Sequence, residues 1–138
     1  TTHTGEIDLY FFARGLRSYY NMGYRFRDED ANLERLDFTS HAAKLRYIRR
    51  VDVGRKVLKV EMAYRYEKRD YSGVTPGIGS IEGEPRKDER HRVQIDLEYP
   101  VTKRSALQLY LAYGDYRSNF PISNFDQGIV GSRYVYRW

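Results

Sequence analysis

The residues most able to bind a metal or relay a proton are His3, His41 and His91. They lie far apart with no ligand spacing, and each is expected on a solvated face. Asp28-Glu29-Asp30-Ala31-Asn32 resembles the start of a calcium loop. It lacks the Gly at position six and the Glu at twelve, so it reads as an acidic surface loop. Gly77-Ile78-Gly79 has no following helix and cradles no phosphate. Ser, His and acidic residues are present, but no elbow motif holds a nucleophile. The chain has no cysteine, which excludes disulfides, zinc–thiolate sites and Cys nucleophiles. No catalytic constellation emerges, so an enzyme is not expected, nor is a metal or cofactor.

The remaining chemistry is charge. Lysine and arginine number 24 and acidic residues 19, interleaved rather than blocked. That mixing suits polar surfaces better than a nucleic-acid stripe. Basic residues between tyrosines could stack single-stranded nucleic acid, but strand alternation explains the pattern without such a partner. Many of these charges share one parity. They include Glu6, Asp8, Arg25, Arg27, Lys44, Arg46, Lys59, Glu61, Arg65, Glu67, Arg90, Arg92, Asp96, Glu98, Arg133 and Arg137. The other parity is apolar and aromatic. Successive strand side chains point to opposite faces, so this is a sheet with one charged and one apolar face.

The elements that carry these faces are long strands. Thr4–Ala13 alternates Ile7, Leu9, Phe11 and Ala13 against Glu6, Asp8, Tyr10 and Phe12, and Arg14-Gly15-Leu16 turns tightly. Ser18–Arg27 alternates next, and Asp28–Glu34 is a polar loop. Leu36–Arg49 reads as a strand that needs a bulge, because Leu36 and Phe38 fall off the parity of Ala43, Leu45 and Tyr47. It also reads as a helix capped by Asp30. A turn at Val51-Asp52-Val53-Gly54 leads to Lys56–Arg69. Asp70–Lys87, rich in Gly and Pro, reads as a mobile loop. Asp88–Tyr99, with Val93, Ile95, Leu97 and Tyr99 on one face, is the clearest strand. Ala106–Tyr116 and Asp126–Trp138 complete the set.

Seven strands of about 10 to 12 residues have the length that spans a membrane at a tilt. Short connections (14–16, 50–55, 100–104) alternate with long ones (28–35, 70–87, 117–124). Outer-membrane barrels show this asymmetry, with short periplasmic turns and longer outer loops. No apolar run is long enough for a membrane helix. Among 14 Tyr, 6 Phe and 1 Trp, the chain places Tyr134, Tyr136 and Trp138 together at its end. Such rings suit a membrane–water interface.

Residues 86–138 also resemble the end of outer-membrane barrels that accompany exopolysaccharide export and related secretion systems. The resemblance lies in Arg86-Lys87-Asp88-Glu89-Arg90 opening a strand and Tyr99-Pro100 at a turn. It continues in Tyr113-Gly114-Asp115-Tyr116-Arg117-Ser118-Asn119 and Phe125-Asp126 before an aromatic-ended strand. Such families commonly end in Phe, where this chain has Trp138. The resemblance implies a passive conduit or assembly barrel in a Gram-negative outer membrane. It also implies that Tyr134, Tyr136 and Trp138 are read by the barrel-insertion machinery.

The expectation is therefore an all-β, antiparallel up-and-down meander of about seven long strands, part of a transmembrane β-barrel. Residues 1–138 form one segment, the carboxyl-terminal portion of a larger barrel. Lys59, Glu61, Arg65, Glu67, Arg90, Arg92, Asp96, Glu98, Arg133 and Arg137 line a lumen, as an Arg/Lys-rich pore or export conduit. Asp70, Tyr71, Arg117 and Asn119 belong to outer loops. The expected partners are membrane lipid, the barrel-assembly machinery and either missing amino-terminal strands or another chain. Two rival readings are a plugged barrel that recognises a partner through its outer loops and a soluble β-barrel binding protein.

Overall fold

A computed structural model describes residues 1–31, 36–74 and 83–137. They form one seven-stranded sheet in sequence order. Its strands are β1 (Thr2–Phe12), β2 (Ser18–Glu29), β3 (Phe38–Val53), β4 (Lys56–Val74), β5 (Pro85–Pro100), β6 (Ser105–Ser118) and β7 (Phe125–Tyr136). Every adjacent pair is antiparallel. The fold is thus an all-β meander, with one short 3₁₀ turn at Pro121–Ser123. Among the described residues β1 and β7 are the two edges and do not pair with each other.

Turn chemistry fixes the hairpins. Gly54 and Arg55 alone join β3 to β4, and Gly54 takes a φ of 61°. A two-residue hairpin needs positive φ there, and Gly adopts it without a Cβ penalty. Gly15, at 56°, serves the β1–β2 turn. The β5–β6 turn instead follows Pro100, which has no N–H to extend the ladder. Its Val101 and Thr102 amides donate to the Ser105 carbonyl at 2.8 and 3.1 Å. All three short turns lie at one end of the sheet.

Three expectations change. Residues 38–53 are strand, not helix, and the strand needs no bulge: its pairing with β2 and β4 is continuous. Phe38 takes the charged face, where Arg27 and Arg69 stack on its ring at 5.5 and 5.1 Å. Both ends of the connection expected at Asp70–Lys87, Asp70 to Val74 and Pro85 to Lys87, are strand. Asp70 pairs with Lys87 and Val74 with Pro85, with a register shift between them. Residues 75–82, which include Gly77-Ile78-Gly79, lie outside the described residues.

Burial is inverted relative to an ordinary half-solvated sheet. The only buried hydrophobic side chains among the described residues are Phe38, Ala42 and Ile48, all on the charged parity of β3. Asn21 and Ser40, 1% and 0% exposed, are on that face too. The apolar parity is open: Leu9 is 54% exposed and Val130 79%.

Candidate functional site

Two faces, each aligned across the whole sheet, are the functional candidates. In the central rows register joins apolar residues across the sheet. One row runs Phe11, Tyr20, Tyr47, Met62, Ile95, Leu111, Val130. The next runs Leu9, Met22, Leu45, Tyr64, Val93, Tyr113, Gly128. On β4 the apolar parity extends from Leu58 to Tyr66, about 26 Å along the strand at ordinary strand rise. A contiguous apolar surface of this breadth marks a partner or a lipid phase rather than water.

Polar-tipped rings border it. Towards the long connections Tyr24 Oη meets His41 Nδ1 at 2.6 Å, and Tyr64 Oη meets His91 Nδ1 at 2.8 Å. His41, exposed, and His91, half-buried, therefore sit at the rim of the apolar face, and His91 packs on Tyr66 at 4.9 Å. His3 is exposed, as expected. Towards the short turns Lys56 lies over the Tyr99 ring at 5.2 Å and donates to the Val101 carbonyl at 2.6 Å. Tyr134 and Tyr136 project on the apolar face of β7, 61% and 50% exposed. Trp138 lies outside the described residues. Charges of the apolar parity gather near the strand ends, Arg49 among them, opposite Ser18 and Val60 near the short-turn end.

The opposite face is a charged network. Register sets Lys59 against Glu98, Glu61 against Asp96, Arg65 against Arg92 and Glu67 against Arg90. Among the described residues these β4–β5 neighbours form no ion pairs with each other. The carboxylates turn to other partners. Arg46 Nε reaches Glu61 Oε1 at 2.5 Å, and Lys59 Nζ reaches Glu61 Oε2 at 3.3 Å. Arg69 takes Glu67 at 2.7 Å. Lys44 crosses β2 to reach Asp8 on β1 at 3.0 Å. It can do so because Gly23 lies between them: a Cβ there would come within 2.5 Å of Asp8 Oδ1 and 2.9 Å of Lys44 Cε. On the same face the Tyr110 ring covers Gly131, where a Cβ would sit 2.2 Å from it.

Arg92, Glu61, Lys59, Asp96, Glu98 and Arg133 line one open groove of about 500 Å³ on this face. The face thus brings together most of the residues expected to line a lumen; Glu67 and Arg90 sit above the groove on their own strands, and Arg137 lies beyond the end of β7.

The residues assigned to outer loops are placed differently. Asp70 and Tyr71 belong to β4 and Arg117 to β6, because these strands continue past the apolar band. Asn119 alone is in a connection, accepting from the Lys87 amide at 2.8 Å and donating to the Pro85 carbonyl at 2.9 Å. Here a cluster emerges that alternation did not disclose. Arg86 stacks on Tyr71 at 5.2 Å and on Phe120 at 5.8 Å, while Phe38 packs on Tyr71 at 5.4 Å. Arg86 also donates to Asp88 at 2.8 Å, and that bond holds its guanidinium above its usual pKa against the effect of burial. Among the described residues no group of His and acidic side chains is arranged to hold a metal, and no helix is long and apolar enough to cross a membrane.

No family model, curated protein or solved structure matches the chain.

Proposed function

We propose that the chain forms part of the wall of an outer-membrane β-barrel that serves as a pore or export conduit in a Gram-negative bacterium. The observation that carries this reading is the inversion of the two faces. Apolar side chains stand open in continuous rows, while polar side chains of the opposite face, Asn21, Ser40, Glu67 and Asp88, are buried. A water-soluble sheet would bury the first and expose the second. Lipid on the apolar face and water on the charged face satisfy both at once.

The rims support the same reading. Tyr–His pairs at one edge, and Tyr99, Tyr134 and Tyr136 at the other, have the amphipathic character of interfacial girdles. Arg49 lies near the short-turn edge, where its long stem lets the guanidinium reach water. Short turns at that end correspond to the periplasmic side and long connections to the outside. The charged face then lines an aqueous interior whose cations favour anionic solutes.

The test is reconstitution. The purified chain, with whatever further strands its natural assembly supplies, is expected to require detergent and to conduct in planar bilayers with anion preference. Arg90→Ala together with Arg92→Ala lowers that preference. Solubility without detergent, or a sealed bilayer, overturns the proposal.

A further inference from the structure

We infer that the charged face carries an oxyanion-binding site centred on Arg65 and Arg92, for a phosphate or carboxylate group. This rests on the reading of that face as water-filled and adds a specific recognition point to it.

The two arginines are direct partners across the β4–β5 ladder. Like charges in that position repel each other, and a sheet under no other demand places opposite charges there. Among the described residues neither forms an ion pair, although ten other cation–carboxylate pairs do form. Arg92 makes only a long contact to Gln94 Oε1, 3.4 Å away. The nearby carboxylates have closer partners: Glu67 pairs with Arg69 at 2.7 Å, Asp8 with Lys44 at 3.0 Å and Glu6 with Lys44 at 4.0 Å. Asp96 accepts from Gln94 at 2.7 Å.

There is room for a ligand. Arg65 borders a hollow of about 140 Å³ shared with Lys44, Arg25 and Glu6, and Arg92 borders one end of the groove of about 500 Å³ that Glu61, Asp96 and Glu98 also line. Ala63 and Ala112 flank Gln94 and keep the adjacent row low. Arg25 Nε is buried with no partner, a further donor on the same face. Guanidinium groups offer paired donors in the planar fork that matches carboxylate and phosphate oxygens. An oxyanion over this ladder step neutralises the repulsion that the sheet otherwise retains.

The test is titration of the detergent-solubilised full chain at an ionic strength of about 0.15 M, where charges farther apart than about 8 Å are screened, first with inorganic phosphate and then with citrate. Arginine Nε–Hε resonances are followed by NMR. Saturable binding of at least one is expected, and which one binds assigns the oxyanion class. Arg65→Gln with Arg92→Gln weakens it about tenfold or more, as loss of two charge-assisted forks implies. Arg104→Gln with Arg117→Gln removes the same charge away from the site and leaves affinity within about twofold at screened distances. Arg65→Lys with Arg92→Lys keeps the charge without the fork, and also binds more weakly than the original chain. Relief of like-charge repulsion should leave the Gln variant folded, which circular dichroism checks. Absence of binding, or equal weakening in the two Gln variants, overturns the site. Conductance separates this from the pore proposal: a conducting chain that binds no oxyanion loses only the site. A binding chain that does not conduct loses only the pore.

Discussion

At the residue scale, the charged face is held together by long side chains folded over missing ones. Tyr110 covers Gly131 on the neighbouring strand, and Lys44 passes over Gly23 to Asp8. A ring lying on a cross-strand glycine replaces the packing the glycine cannot supply. Gly131→Ala places a methyl inside the space of the Tyr110 ring, which must swing away. The expected cost is about 1–3 kcal/mol, the ordinary range for overpacking. Tyr110→Ala removes the obstacle, so adding it to Gly131→Ala costs less than the two single changes together. Urea unfolding of the four proteins in one detergent gives that coupling. Strict additivity would show that Tyr110 does not rest on Gly131.

At the scale of the strand, the membrane proposal separates neighbours in sequence. Ile95 lies within the apolar rows, while Gln94 lies on the charged face between Ala63 and Ala112. An Arg at a lipid-facing midplane position costs about 2–4 kcal/mol, whereas lumen positions are far more permissive. Ile95→Arg is therefore expected to impair folding into vesicles strongly, and Gln94→Arg to impair it little. Folding yield, read from protease protection, measures the contrast, and equal effects would remove the lipid from the apolar face.

The strands were legible in the sequence because alternation is imposed by a two-sided environment, whatever fills the two sides. Val93, Ile95, Leu97 and Tyr99 reveal their face for that reason. What alternation does not disclose is where a strand stops or which neighbour a charge chooses. Asp70 and Tyr71 pass for loop because Gly73 and Pro76 follow, yet β4 runs on to Val74. Phe38 is off the apolar parity, and two arginines receive its ring. Glu61 pairs with Arg46 rather than across β4–β5 because its direct neighbour there, Asp96, is also acidic.

At the scale of the whole molecule, strand direction constrains how a barrel could close. Each hairpin reverses the chain, so in a seven-stranded meander β1 and β7 run the same way. Both begin at the long-connection end, since Thr2 pairs with Glu29 and Phe125 with Tyr116. Joining them directly would create a parallel pair in an otherwise antiparallel sheet. Leaving them free would expose two rows of N–H and C=O groups to lipid, at several kcal/mol per unsatisfied group. An antiparallel closure needs an odd number of additional strands between them, which also gives the even total usual for bacterial single-chain barrels. A second copy of the same seven strands, similarly oriented in the membrane, would again meet β7 with β1 in parallel. A larger barrel with antiparallel seams would accordingly be completed by strands of different sequence. The absence of natural cysteines makes this testable. With one cysteine in β1 (Thr4→Cys) and one in β7 (Gln127→Cys), oxidation of the membrane-inserted protein is expected to give no disulfide between the two edges. Each edge instead becomes cross-linkable to a strand outside these seven, located by peptide mapping. A rapid β1–β7 disulfide within one chain would mean that seven strands close alone, with a parallel seam.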